Sequence, residues 1–189
     1  MSRILLVLAS LLAVSSAACS SSSKPVDEGP PDACSTGGSD GGACLGPFVS
    51  CADLTTPTVS FAADILPIFQ PSCGIAGSTC HGTTSSEQEG LFLGSTDGGT
   101  DASLVLQGIV GVTSVEDPQM VIVKAGDPSN SYMMHKLDGD QCTQAAACNA
   151  VPNNQYPNCG SQMPYSSPAL DEPTRDTIRR WIAQGAQNN

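Results

Sequence analysis

Nine cysteines in a chain with few aromatic residues constrain what this sequence can fold into. Aromatics make up 4% of the 189 residues, while glycine (19) and proline (14) are plentiful. That composition gives long loops around a small core, and a small core needs staples, either disulfides or a bound group. The length suits one ordinary domain with appendages. An odd cysteine count leaves one thiol over when the others pair within the chain, so at least one cysteine has another task.

The first candidate for that task stands behind an export signal spanning residues 1–18. Arg3 supplies the positive start, and Ile4–Val14 is an apolar run of eleven positions, too short to span a bilayer. Ser16-Ala17-Ala18 then precede Cys19. The arrangement is similar to a bacterial lipoprotein signal, in which the cysteine is acylated and becomes the mature N-terminus. Ser16 stands where an aliphatic residue is usual, and cleavage after Ala18 without acylation is the alternative. Either route leads out of the cytoplasm. The first predicts an outer-membrane or periplasm-facing lipoprotein, the second a soluble periplasmic or secreted protein. Acyl chains on Cys19 would anchor the protein firmly, since each buried methylene contributes about 0.8 kcal/mol. Assigning Cys19 to lipid leaves eight cysteines, an even number.

Residues 19–57 read as a Ser/Gly/Pro-rich tether, with a serine run, Gly29-Pro30-Pro31 and two glycine pairs. No apolar periodicity runs through it, so a disordered N-terminal tether is expected. Cys34, Cys44 and Cys51 qualify that reading. Three cysteines cannot all pair among themselves, so at least one fastens the arm to the domain that follows, 58–189. The chain carries 18 acidic residues against seven basic ones, a net charge of −11. Nucleic acid and anionic membrane surfaces are thereby excluded as partners, because both need Lys/Arg patches. A positively charged protein partner suits the charge.

The stretch Cys73-Gly-Ile-Ala-Gly-Ser-Thr-Cys80-His81-Gly82 carries the chemistry. Two cysteines, the second followed at once by histidine, form the local pattern of covalent c-type haem attachment. The thiols add across the two vinyl groups and the adjacent imidazole ligates the iron. Six residues separate the cysteines here, where two are usual. The competing reading of the same residues is a disulfide, between Cys73 and Cys80 or with other cysteines, which a glycine-containing loop closes without strain. Zinc would require four convergent ligands, and the remaining cysteines lack the paired CxxC spacing of such sites. With haem, six cysteines remain (Cys34, Cys44, Cys51, Cys142, Cys148 and Cys159), enough for three bridges in fifteen possible connectivities. Without haem, all eight can pair.

Helical signals flank this motif. Phe61, Ile65, Ile68 and Phe69 fall on one helical face, with Ser60 as N-cap, Pro67 as a kink and Pro71 as the stop ahead of Cys73. At the other end, Asp171 caps a helix whose first turn holds Glu172 and Pro173. Ile178, Trp181 and Ile182 form its apolar stripe, Asp176 and Arg180 are spaced to pair, and Gly185 suits its exit. Met133 and His135 alternate in a stretch that reads as strand.

Taken in order, these pieces resemble a cytochrome c-type domain of exported bacterial proteins. The likeness runs from Phe61, Ile65 and Pro67-Ile68-Phe69 through Cys73 and Cys80-His81-Gly82 to Gly90-Leu-Phe-Leu-Gly94 and a helix over 102–112. It continues in Val123-Lys-Ala-Gly-Asp-Pro-Ser-Asn-Ser-Tyr-Met133, Lys136-Leu137, Gln162-Met163-Pro164 and Trp181-Ile182-Ala-Gln-Gly185-Ala186. The resemblance covers roughly residues 59–187 and implies a mainly α, disulfide-stapled domain with long loops. It also implies terminal helices packed together, which would bring Trp181 towards the first helix. Haem c would hang on Cys73 and Cys80, with His81 as proximal and Met163 as distal iron ligand. Met120, Met133, Met134 and His135 compete for the distal role. Cys142, Cys148 and Cys159 lie in an insertion read as a disulfide-stapled loop ahead of Met163. The function implied is single-electron transfer to a redox partner protein outside the cytoplasm, by a carrier and not an enzyme. The alternative is a haem-free, disulfide-stapled surface lipoprotein with a binding or structural role.

Overall fold

Ser60 opens the first helical stretch. Its hydroxyl accepts from the Ala63 amide at 3.2 Å, and its own amide donates to Asp64 at 2.8 Å, a reciprocal cap. The computed structural model describes residues 37, 39–40, 43–44, 46–75, 80–84, 88–97, 99–153 and 155–189. The export signal, Cys19, Cys34 and most of the serine-rich arm lie outside them. The chain divides into two units, Met1–Pro31 and Asp32–Asn189, and every described residue belongs to the second.

Among the described residues the fold is mainly α, with five short helices: α1 (Leu66–Ser72), α2 (Ala102–Ile109), α3 (Tyr132–Asp138), α4 (Ala145–Asn149) and α5 (Glu172–Ala183). Ser39–Asp40 and Ala43–Cys44 form a two-residue antiparallel ladder. A wide π-type turn, Phe61–Ile65, leads into α1. Pro67 explains it: lacking an N–H, it sits in the first turn of α1, and the chain before it winds with longer-range bonds. Pro71 does not stop the helix as expected. It lies inside α1, which runs on to Ser72.

The core forms where the two ends of the domain meet. The Phe61 ring lies 5.2 Å from Trp181 and 6.2 Å from Phe69, centre to centre. Ile65, Val105, Ile109, Ile178 and Ile182 close around them and are fully buried. Asp171 caps α5 by accepting from Thr174, and Gly185 leaves it at a φ of 100°, a conformation glycine adopts without strain. Asp176 pairs with Arg179, one residue nearer than the expected Arg180. The reason is burial: Arg179 is enclosed and takes both Asp176 and Asp138, while Arg180 donates outward to the Asp53 carbonyl at 2.6 Å. Helix α2 ends at Ile109, three residues early, because Val110–Thr113 cross over to pair with Val121 and Val123.

The stretch around Met133 and His135 is helix α3, not strand. All seven of its side chains are buried, so no exposed face interrupts its sequence. Part of the arm read as tether is laid on this domain. Cys44 is disulfide-bonded to Cys142, and the Phe48 amide donates to Asp140 at 2.7 Å. The Phe48 ring lies against the Arg175 and Arg179 guanidiniums, at 4.9 and 5.1 Å. A second disulfide joins Cys148 to Cys159, and Cys51 is also disulfide-bonded.

Candidate functional site

The widened spacing between Cys73 and Cys80 is closed at its base. The His81 amide donates to the Cys73 carbonyl at 2.9 Å, and the Leu93 amide donates to the His81 carbonyl at 2.9 Å. Two glycines make this crossing possible. A Cβ on Gly74 would lie 2.0 Å from the Gly94 carbonyl oxygen, and one on Gly82 would lie 2.5 Å from that of Gly74. The backbone at His81–Gly82 and the backbone at Cys73–Gly74 therefore meet, however many residues intervene.

What they meet around is a cavity of about 360 Å³, within the usual range for small-molecule and cofactor sites. Cys73, Cys80, His81 and Met163 all line it. Phe69, Leu91, Leu93, Ile122, Leu137 and Ile178 supply much of its apolar wall. Met163 is held there by α3, its amide donating to the Lys136 carbonyl at 2.8 Å.

The protonation states suit ligation. His81 Nδ1 lies 3.0 Å from the Leu91 carbonyl. A carbonyl only accepts, so Nδ1 carries the hydrogen and Nε2 keeps its lone pair. Burial also holds the His81 pKa below its ordinary value, favouring the neutral ring. Burial pushes the Cys73 thiol up to about 12, with Cys80 beside it adding to the rise. A thiol so protonated is a poor exchange nucleophile, which argues against thiol–disulfide redox chemistry. Neither Cys73 nor Cys80 is in a disulfide. Two thiols, a neutral imidazole with one nitrogen already committed and a thioether, around one apolar cavity, are a donor set that fits an iron porphyrin.

No protein-family model, curated relative or solved structure matches the chain.

Of the competing distal ligands, Met133 also lines the cavity, from α3. Met134 is packed in the core, and Met120 lies against the separate cluster of Tyr132, Cys148 and Cys159. His135 is not among the lining residues; its Nδ1 donates to Asp140 at 2.7 Å. Burial works against its charge, yet the Asp140 hydrogen bond and the charges of Asp140 and Asp138 outweigh it, and its pKa is raised. The folded state thus holds this proton more tightly than an unfolded histidine, which titrates near about 6.5. That stabilisation is complete below the unfolded value and is lost as pH rises through the raised folded one. Urea midpoints should accordingly fall as pH rises above about 6.5, and fall less in His135→Gln. Equal falls in the two proteins would exclude the pair as the cause.

Sequence pattern alone does not single out the polar part of the wall. Glu116 accepts from Tyr132 Oη at 2.5 Å and from Lys136 Nζ at 2.8 Å, and Tyr156 donates to Glu89. All three tyrosines of the chain, Tyr132, Tyr156 and Tyr165, line the cavity. In a chain this poor in aromatics, their concentration in the second half was the available signal.

Proposed function

We propose that the cavity holds a covalently attached haem c and that the protein is a c-type cytochrome domain, carrying single electrons outside the cytoplasm. One observation carries the reading: Cys73, Cys80, His81 and Met163, up to ninety positions apart, line a single apolar cavity. The pinned base of the Cys73–Cys80 loop supports it, because the longer spacing does not separate the two sulfurs from the imidazole's wall.

Cys73 and Cys80 would hold the group as thioethers, His81 Nε2 as proximal ligand and Met163 Sδ as distal one. When bound, haem supplies a one-electron ferric/ferrous couple. The Leu91 carbonyl fixes the His81 tautomer and makes the ring a better donor. A soft thioether and an imidazole from Met163 and His81 would together favour ferrous iron and raise the potential. The apolar part of the wall lowers the local polarity and would favour the less charged oxidation state of a bound haem. A leader ending at an acylated Cys19 would anchor the domain to a membrane, facing away from the cytoplasm. The acidic chain suits a cationic redox partner, and the role proposed is that of an electron carrier.

Expression with its leader in a host competent in cytochrome maturation tests this. The purified protein should be red, show sharp α and β bands on reduction, and keep its colour through acid-acetone extraction. A colourless protein with Cys73 bonded to Cys80 would leave the other reading, a disulfide-stapled surface lipoprotein, which the six-residue spacing favours.

A further inference from the structure

Lys136 is buried, 7% exposed, in a cavity wall. Burying an ammonium is costly unless it is paired and its donors are used. Here one bond goes to Glu116 at 2.8 Å and a second to the Cys159 carbonyl at 2.7 Å. The same residue's backbone carbonyl accepts the Met163 amide at 2.8 Å. One residue therefore grips one loop at two points four residues apart. Gly160 lies between them with its Cα close to the ammonium: an added Cβ would come within 3.3 Å of Lys136 Nζ. Upstream, Cys159 is fixed by its disulfide to Cys148. Downstream, Gln162 donates to the Leu137 carbonyl at 3.2 Å, extending the seam along the end of α3.

We infer that Lys136 is the positioning residue for Met163, clamping the 159–163 loop to α3 through its ammonium at Cys159 and its carbonyl at Met163. The functional consequence rests on the proposed role of Met163 as iron ligand; the clamp itself does not. Without the ammonium's short bond to Cys159, the loop keeps the Met163 and Gln162 bonds to α3 and only long contacts upstream, Tyr132 to Cys159 and Gln141 to Gly160 at 3.4 Å, and the thioether moves relative to His81. Glu116 acts through Lys136, by balancing its charge.

The test uses the full chain, exported in a cytochrome-maturing host. Lys136→Met combined with Glu116→Gln removes the cation and its counter-charge together while keeping side-chain lengths. The Met163 amide should then exchange with solvent about tenfold faster or more, while the Trp181 amide in α5 is unchanged. In the red protein the thioether-to-ferric-iron absorption band should weaken, with covalent haem content unaltered. Lys136→Arg, which keeps charge and donors, should restore both. Unchanged exchange at Met163 overturns the inference. So does a Met163 amide in the unmodified chain that exchanges as freely as an unstructured peptide, a measurement that needs no variant to fold. A colourless protein whose Met163 exchange responds to the double substitution retires the haem reading and keeps the clamp. A red protein whose exchange and band do not respond does the reverse.

Discussion

Met163→Ala is expected to leave a red protein whose midpoint potential is lower by on the order of 100 mV, within the roughly 0.8 V range over which axial ligands set haem potentials. The sign follows from the ligand's chemistry. A thioether is soft and neutral and stabilises ferrous iron; removing it admits water, a harder ligand that favours ferric iron. Covalent attachment should survive, because Cys73 and Cys80 are untouched and Met163 reaches the cavity from a separate loop. Met133→Leu is the control. Met133 also lines the cavity, but from α3, where it is 7% exposed and counts among the core residues. Potentiometric titration of the two variants separates the roles. A shift in Met133→Leu with none in Met163→Ala would transfer the distal position to Met133 and leave Met163 as wall.

The parts of this molecule that could be read in advance are those whose partners are encoded by local periodicity. Phe61, Ile65 and Phe69 recur at helical spacing, as do Ile178, Trp181 and Ile182, and these two stripes are the halves of the core. The caps at Ser60 and Asp171 depend only on residues three or four positions away. Helix α3 reads as strand for the opposite reason. Every one of its side chains is buried, so its charged residues fall on no solvent face and its pattern mimics alternation. Each charge is answered from far along the chain: Lys136 by Glu116, Asp138 by Arg175 and Arg179. Single-sequence reasoning has no access to such pairs. The same limit hid the polar wall of the cavity. Cys80-His81 and Met163-Pro164 announce themselves as motifs, but Glu116, Tyr132 and the Leu91 carbonyl acquire meaning only once α3 and the 88–93 segment lie beside them.

The two described disulfides should differ in what their loss does. Cys44–Cys142 spans 98 residues and Cys148–Cys159 spans 11. Cross-linking restricts the unfolded chain more when the closed loop is longer, so removing the first by double serine substitution is expected to cost about 4–5 kcal/mol and removing the second about 3 kcal/mol. Denaturant midpoints at equal slope would measure both. The site should show the reverse order. The long bridge secures the arm that carries Phe48 to Arg175 and Arg179, away from the cavity lining. The short bridge fixes Cys159, whose carbonyl takes the Lys136 ammonium four residues before Met163. Loss of the short bridge should therefore weaken the thioether-to-iron band, and loss of the long one should spare it. A greater stability loss from the short bridge would mean that packing around Cys148 and Cys159, both fully buried, outweighs chain entropy. A band that responds to the long bridge alone would place the control of Met163 in the arm instead of in the loop that bears it.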